Sequence, residues 1–265
     1  TDVTSGTLTF NPDGSFSYLP NADFNGSDSF TYKSNDGDLD GNEVTVTLTV
    51  NPVNDKPVAD GDEYSTNEDT ALTTTTVTGV LANDLDVEGD TLTAELVTNV
   101  AHGTLTLTSN GSFAYTPASN YDGTDSFTYK PYDGTAYGEA VTVTLNVLPV
   151  FDAPVAVNES VTLNEDTPTT INVLSNDTDV DLTTNPSLET LSIVAVSDPP
   201  HGSAVIVGTT QVLYSPDADY NGTDSFTYTV EDNGGLQSTA TVNLTIKPVN
   251  DYPVFTNLST SYTTD

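Results

Sequence analysis

The sequence predicts an all-β chain of tandem Greek-key β-sandwich domains. Three observations carry this. An acidic turn followed by an aromatic strand is written three times, as FNGSDSFTY from Phe24, YDGTDSFTY from Tyr121 and YNGTDSFTY from Tyr220. The phenylalanines of the DSF triplets, Phe30, Phe127 and Phe226, stand roughly a hundred residues apart, the length of one sandwich domain. Apolar residues alternate with polar ones, mostly threonine, along VTVTLTV (44–50), VTVTLNV (141–147) and ATVNLTI (240–246). A period of two marks a strand with one buried face, and threonine suits the solvated face.

The elements follow in order. SGTLTFNPDGSFSYLP (5–20) predicts two strands about a PDG turn; HGTLTLTSNGSFAYTP (102–117) repeats it, and HGSAVIVGTTQVLYSP (201–216) does so more loosely. Glycine and asparagine in these turns accept positive φ. The DSFTY strand comes next, with its phenylalanine and tyrosine two apart and therefore on one face, read as core. The threonine-rich strand closes each repeat. Linkers VNDKP (53–57), VFDAP (150–154) and VNDYP (249–253) open the next one, followed by NEDT at 67–70 and 164–167. VLANDLDVEGD (80–90) matches VLSNDTDVDLT (173–183). No stretch has helical periodicity.

The anchors give a domain map. Gly6 aligns with Gly103, deep inside a repeat, so 1–52 is the second half of one repeat. Residues 53–149 and 150–248 are whole repeats, and 249–265 open another. The chain reads as a slice of a longer array, and 1–52, lacking the strands that open a repeat, is expected not to fold cooperatively alone.

Composition narrows function. The 265 residues carry 39 acidic and 4 basic side chains, a formal charge of −35. Nucleic acids and anionic membrane surfaces need basic patches, so both are excluded as partners, and cations are the natural counter-partner. There is no cysteine, hence no disulfide and no thiol chemistry. No apolar run approaches the ~18 residues of a membrane span. His102 and His201 share one turn position and have no recurring nucleophile beside them, which gives no basis for an enzyme.

Acidic residues gather at predicted domain ends. Asp28, Asp125 and Asp224 precede the aromatic strand; Asp36, Asp133 and Asp232 follow it in DG or DNGG turns. Asp84 and Asp86, Asp177 and Asp179, and the linkers add more. Like charges crowded together call for a bridging cation, and calcium takes six to eight oxygen ligands of this kind. One local alternative is an EF-hand-like loop from Asp84 to Glu95, but threonine-rich strand sequence flanks it and Leu182 stands where the next repeat would need glycine. A loop site within a β domain is another.

DSFTYTVEDNGGLQSTATVNLTIKPVNDYPVF (224–255) resembles the end of a cadherin repeat, with its DxG turn, last strand and xND-x-P linker. NDLD resembles the cadherin DxD element, and Glu68 and Glu165 of NEDT resemble the glutamate near a cadherin repeat's start. The chain is similar over its whole length to the bacterial cadherin-like repeats of giant surface adhesins. That resemblance implies tandem Ig/cadherin-like Greek-key β-sandwich domains in an elongated array, an extracellular cell-surface location, and calcium between successive domains. It carries Asp28, Asn54, Asp55, Asp84, Asp86 and Asp133 to the first junction. To the second it carries Glu68, Asp125, Asp152, Asp177, Asp179 and Asp232. Glu165, Asp224, Asn250 and Asp251 form the near half of a third.

The resemblance implies a calcium-rigidified extender of an adhesin or filament. The alternative is a glycan- or protein-binding module in the same array, with Tyr132 and Tyr137 of KPYDGTAYG as its aromatic candidates. Neighbouring copies of the chain are further candidate partners. The middle linker has Phe151 where the others have Asn54 and Asn250, so it is expected to hold fewer or weaker ions.

Overall fold

The computed structural model describes residues 1–187 and 189–252. The chain forms two compact units: 1–118 with 123–147, and 119–122 with 148 onward.

The first unit starts with β1 (Gly6–Phe10), β2 (Phe16–Pro20), β3 (Gly26–Tyr32) and β4 (Val44–Val50), paired as two antiparallel hairpins, β1–β2 and β3–β4. Phe30 lies between Phe10 and Phe16, with ring centroids 5.7 and 5.2 Å away, both edge-on. Phe30 is buried, yet Phe10 and Phe16 stay 41% and 44% exposed, and Val44 47%. The alternation over 44–50 has the expected phase, but Val44 is exposed and Val46, Leu48 and Val50 are only half-buried.

A seven-stranded sandwich follows in the same unit: β5 (Asp62–Asn67), β6 (Leu72–Thr73), β7 (Thr93–Thr98), β8 (Gly103–Leu107), β9 (Phe113–Pro117), β10 (Gly123–Tyr132) and β11 (Val141–Leu148). One sheet has the order β5-β11-β10-β7 and the other β6-β9-β8. Between them Phe113, Tyr115, Phe127, Tyr129, Val143 and Leu145 are all at most 3% exposed. Phe113 meets Phe127 and Tyr64 edge-on at 5.4 and 5.0 Å, the geometry that ring quadrupoles favour.

The second unit repeats the plan with β12 (Glu159–Asn164), β13 (Thr169–Ile171), β14 (Ser192–Val196), β15 (Gly202–Val207), β16 (Gln211–Pro216), β17 (Gly222–Glu231) and β18 (Gln237–Lys247). Its sheets are β12-β18-β17-β14 and β13-β16-β15, with β12 parallel to β18. Ala240, Val242, Leu244 and Ile246 are the buried face of β18. The one helical piece among the described residues is a single turn, α1 (Asp181–Thr184), in the loop ahead of β14.

The recurring glycine at the start of β1, β8 and β15 has one cause. A Cβ on Gly103 would lie 2.4 Å from the Thr116 carbonyl oxygen and 2.8 Å from the Tyr115 ring; Gly6 and Gly202 meet the matching tyrosines and carbonyls in the same way. Backbone cannot yield as a flexible side chain does. Gly103→Ala is expected to cost about 1–3 kcal/mol, read as a lower urea midpoint at unchanged slope.

Candidate cation sites

The aspartate of each DSF triplet is held inside its own repeat. Asp28 accepts the Thr4, Ser5 and Ser29 N–H groups at 3.0, 2.9 and 2.9 Å and the Tyr18 hydroxyl at 3.0 Å. Asp125 accepts Ala101, His102 and Ser126 N–H at 2.9, 2.8 and 2.8 Å and the Tyr115 hydroxyl at 3.1 Å. Asp224 accepts His201 and Ser225 N–H at 3.1 and 2.8 Å and the Tyr214 hydroxyl at 2.7 Å. The Thr4 N–H, foremost among these donors, holds the Asp28 carboxyl far below its usual range. At Asp125 burial pushes upward, but the N–H donors and the phenol outweigh it and the value falls. These residues tie the turn before β1, β8 or β15 to the aromatic strand, and both oxygens of each of Asp28 and Asp125 are engaged there.

The NDxD element divides its labour. The first aspartate anchors the core tyrosine: the Tyr129 hydroxyl donates to Asp84 at 2.9 Å, and the Tyr228 hydroxyl to Asp177 at 2.8 Å. A backbone N–H adds to each, Asp60 to Asp84 at 3.1 Å and Val157 to Asp177 at 2.7 Å. The second aspartate leaves an oxygen free. Asp86 Oδ1 accepts the Asp90 N–H at 3.0 Å and Asp179 Oδ1 the Asp181 N–H at 2.9 Å, while the buried Oδ2 of each has no hydrogen-bond partner, a condition that Asp177 Oδ2 shares.

Around the first linker, Asn54 Nδ2 donates to Asp133 Oδ2 at 2.9 Å, and Asp133 Oδ1 accepts Thr135 and Ala136 N–H at 2.6 and 2.7 Å. Asp55 donates its N–H to Glu88 at 3.3 Å, and Asp23, Asp55 and Glu88 line one cleft of this unit. Asp62, near Asp84, keeps a buried oxygen without a partner. Burial, then the Asp84 charge, pushes its carboxyl up to about 6. Of the first set, Asn54, Asp55 and Asp133 meet here, joined by Glu88; Asp28 belongs to its Tyr18 network.

Of the second set, Glu68 and Asp125 are buried in the first unit, whereas Asp152, Asp177, Asp179 and Asp232 belong to the second. Three of these four gather with Asp181 and Glu189. The Asp152 N–H donates to Asp181 Oδ2 at 2.8 Å. Asp232 Oδ1 accepts the Leu236 N–H at 2.6 Å, and Glu189 Oε1 the Asn233 N–H at 3.2 Å. The other oxygens, Asp232 Oδ2 and Glu189 Oε2, are buried and have no hydrogen-bond partner. Burial pushes the Asp179 and Glu189 carboxyls up. The charges of Asp181, Asp232 and Asp152 add to this at Asp179, and those of Asp179 and Asp232 at Glu189.

In the third set, ligand oxygens of Glu165, Asp166 and Asp251 lie within 4.8 Å of one another. Glu165 accepts the Val249 N–H at 2.7 Å and Asn221 Nδ2 at 3.2 Å; Asp166 accepts the Asp219 N–H at 3.1 Å. Asn250 Nδ2 donates to the Asp251 carbonyl at 3.3 Å, and Asp224 stays in its Tyr214 network.

Sequence reading missed Asp23, Asp90, Asp166, Asp181, Glu189 and Asp219, and met Glu88 only within the EF-hand-like loop. A signal existed for some. Asp23, Asn120 and Asp219 fill one αL position (φ 54–60°) of the repeated turn, and Asp69 and Asp166 another. Asp and Asn are the side chains that tolerate that conformation best. Glu189 had no such signal, because the loop holding it differs between repeats. The stretch likened to an EF-hand is flanked by strands, with Glu95 inside β7.

Family models add the lineage. The model for a bacterial cadherin-like domain matches residues 1–52 and 54–149, more than half of the chain. The chain belongs to the bacterial cadherin-like domain family. The model for a bacterial Ig domain matches residues 151–245 of this cadherin-like chain.

Solved structures agree on the fold. Protocadherin gammaB7 EC3-6 is 15% identical, with 92% of this chain and 65% of that one covered, at TM-score 0.56. Mouse cadherin-23 EC22-24 is 20% identical, with 84% and 74% covered, at 0.54. The cadherin-like chain also spans 39% of the length of a glycoside hydrolase family 107 endo-fucoidan hydrolase at TM-score 0.34 and 17% identity, a likeness too slight to bear on chemistry. No curated protein matches significantly. Among the described residues no helix is long and apolar enough to cross a membrane.

Proposed function

We propose that this chain is a calcium-rigidified extender segment of a bacterial extracellular adhesin or surface filament. Its rod segments are the half repeat 1–52 and the whole repeats 53–149 and 150–248; of the repeat opening read at 249–265, residues 253–265 lie outside the described residues. One observation carries the reading: Asp86, Asp179, Asp232 and Glu189 each fix one oxygen on a backbone N–H and leave the other buried without a hydrogen-bond partner. A buried acceptor left unpaired costs about 1–3 kcal/mol, more when charged, and neighbouring like charges add to that. A cation among them removes both penalties. Carboxylates and carbonyls, with no cysteine or histidine in the set, are the donors of a hard cation, and flexible multi-carboxylate coordination favours calcium over magnesium. Asn54, Asp55, Asp86 and Asp133 would hold it at the first linker, Asp152, Asp179 and Asp232 at the second, and Glu165 and Asp251 at the third.

The binding-module alternative has less support. The Tyr132 and Tyr137 rings lie 4.5 Å apart, Lys130 Nζ sits 3.9 Å over Tyr137, and the Tyr137 hydroxyl donates to Glu95 at 2.6 Å. Those ring faces are committed to one another.

Small-angle scattering tests the extender. Two whole repeats plus their flanks, at ~3.3 Å per strand residue with loops, should give a maximum dimension above ~100 Å in millimolar calcium. Chelation should broaden and shorten the distribution. A compact profile in calcium, or identical profiles with and without it, would overturn the proposal.

A further inference from the structure

We propose that β15 is an open docking edge, and that its occupant is the β15 of a second copy of this chain, paired antiparallel about a two-fold axis. The inference goes beyond the extender reading: it concerns contact between chains, and it involves no ion.

An edge strand presents a row of unpaired N–H and C=O groups, and folded proteins guard such rows with charges, prolines, bulges or shortness. Most edges of the two whole repeats follow that rule. β5 carries Asp62 and Glu63, and β12 carries Glu159. β7 has Glu95 and an irregular register against β10, and the register of β14 shifts between Ile193 and Ala195. β6 and β13 have two and three residues. β15 has none of these guards. It runs six residues, GSAVIV, pairs with β16 without a register break, and ends its sheet in the order β13-β16-β15.

The outer face of this edge is apolar as well. Val205 and Val207 are 57% and 41% exposed. Val205 stands opposite Leu213, and Leu213 opposite Thr170, in one row across the sheet. The counterpart strand β8, GTLTL, is equally bare, but Thr106 holds the place of Val205 and Thr108 that of Val207. Threonine leaves that face solvated, whereas valines on adjoining strands gain by packing on one another.

Charge selects the occupant. Strands β13, β15 and β16 hold no acidic or lysine residue, and none occurs from 199 to 216, in a chain of formal charge −35. A basic partner is drawn to the acidic surfaces and not to this sheet. Two copies, both strongly acidic, approach most readily through neutral faces. An antiparallel two-fold pairing matches donors to acceptors, lays the valines of one copy beside those of the other, and joins two three-stranded sheets into one of six. Six residues per edge make a contact at or below the small end of specific interfaces, about 1,200 Å², so the dimer is expected to be weak.

Sedimentation velocity of the whole chain in chelator tests this, over rising chain concentration in about 0.01 M and about 1 M salt. Repulsion reaches about 30 Å in the first and about 3 Å in the second, so the dimer should form in high salt and grow with concentration. Hydrogen exchange of the β15 amides should slow in step with it. Val205→Lys sets like charges face to face across the pairing and should weaken association about tenfold or more. Thr106→Lys, the matched change on β8, should alter it by less than about twofold, and circular dichroism should match the parent for both. A parent chain that stays monomeric in high salt overturns the proposal. So does a dimer that Val205→Lys leaves intact, or one whose β15 amides exchange as in the monomer. A dimer lost with Phe16→Ser instead overturns it too, and moves the contact to the exposed aromatic face of the half repeat.

Discussion

In about 10 mM calcium the thermal transition of the second unit is expected roughly 5–20 °C above its transition in chelator. A ligand present at a hundred times its Kd adds about 2.7 kcal/mol, and extracellular calcium modules have Kd values of ~10⁻⁴ M or above. For a domain of about a hundred residues, 1 kcal/mol moves Tm by about 4–8 °C. The sign with pH is a second signature. Burial raises the carboxyls of Asp179, Glu189 and Asp62, the last to about 6. A carboxyl raised on folding binds more protons folded than unfolded, so stability falls as pH rises from the ordinary carboxylate range through the folded value. In chelator the protein should therefore gain stability on acidification from pH 7 toward 5. In calcium the trend should reverse, because protons compete with the ion. Scanning calorimetry across that window decides it: coincident transitions with and without calcium would remove the energetic basis for cation sites.

The fold was legible because it depends on features local in sequence. Threonine alternation placed the apolar face of the last strand, and Ala240, Val242, Leu244 and Ile246 are that face. The DSF phenylalanines and the tyrosines after them were read as core; Phe30, Phe127, Tyr129, Phe226 and Tyr228 are at most 2% exposed, but Tyr32 of the half repeat is 37% exposed. The division of the acids was not legible. Asp125 and Asp179 look alike in sequence, each within an acidic cluster near a strand. They differ in what surrounds them: three N–H groups and a phenol converge on Asp125, and Asp179 finds one N–H. That difference arises from chain segments about 10–25 residues away in one case and from a short loop in the other. Asn54 meets Asp133 through its Nδ2, not through the oxygen that a cation would take.

Asp125→Ala is expected to destabilise the first unit by about 3–5 kcal/mol, in calcium and in chelator alike. The substitution strands the Ala101, His102 and Ser126 N–H groups and the Tyr115 hydroxyl around a residue 4% exposed. Each buried donor left unpaired costs about 1–3 kcal/mol, and the losses add incompletely because they share one site. The fully buried Tyr115 retains the His102 carbonyl at 3.2 Å, which softens its share. Asp125→Asn keeps an acceptor but brings an amide into a nest of donors, so a loss of about 1–3 kcal/mol is expected. The carboxyl of Asp125 lies below its usual range, so its contribution is present above the unfolded value and is lost as pH falls through the folded one. The Asp125→Ala variant should accordingly lose less stability than the parent between about pH 4 and pH 2. Glu189→Gln offers the contrast. It removes a buried like charge, and should raise stability in chelator while lowering the gain from calcium. Urea midpoints for both variants under both conditions separate an aspartate that builds the fold from a glutamate that responds to an ion. An Asp125→Ala loss appearing only in calcium would place Asp125 among the ligands instead.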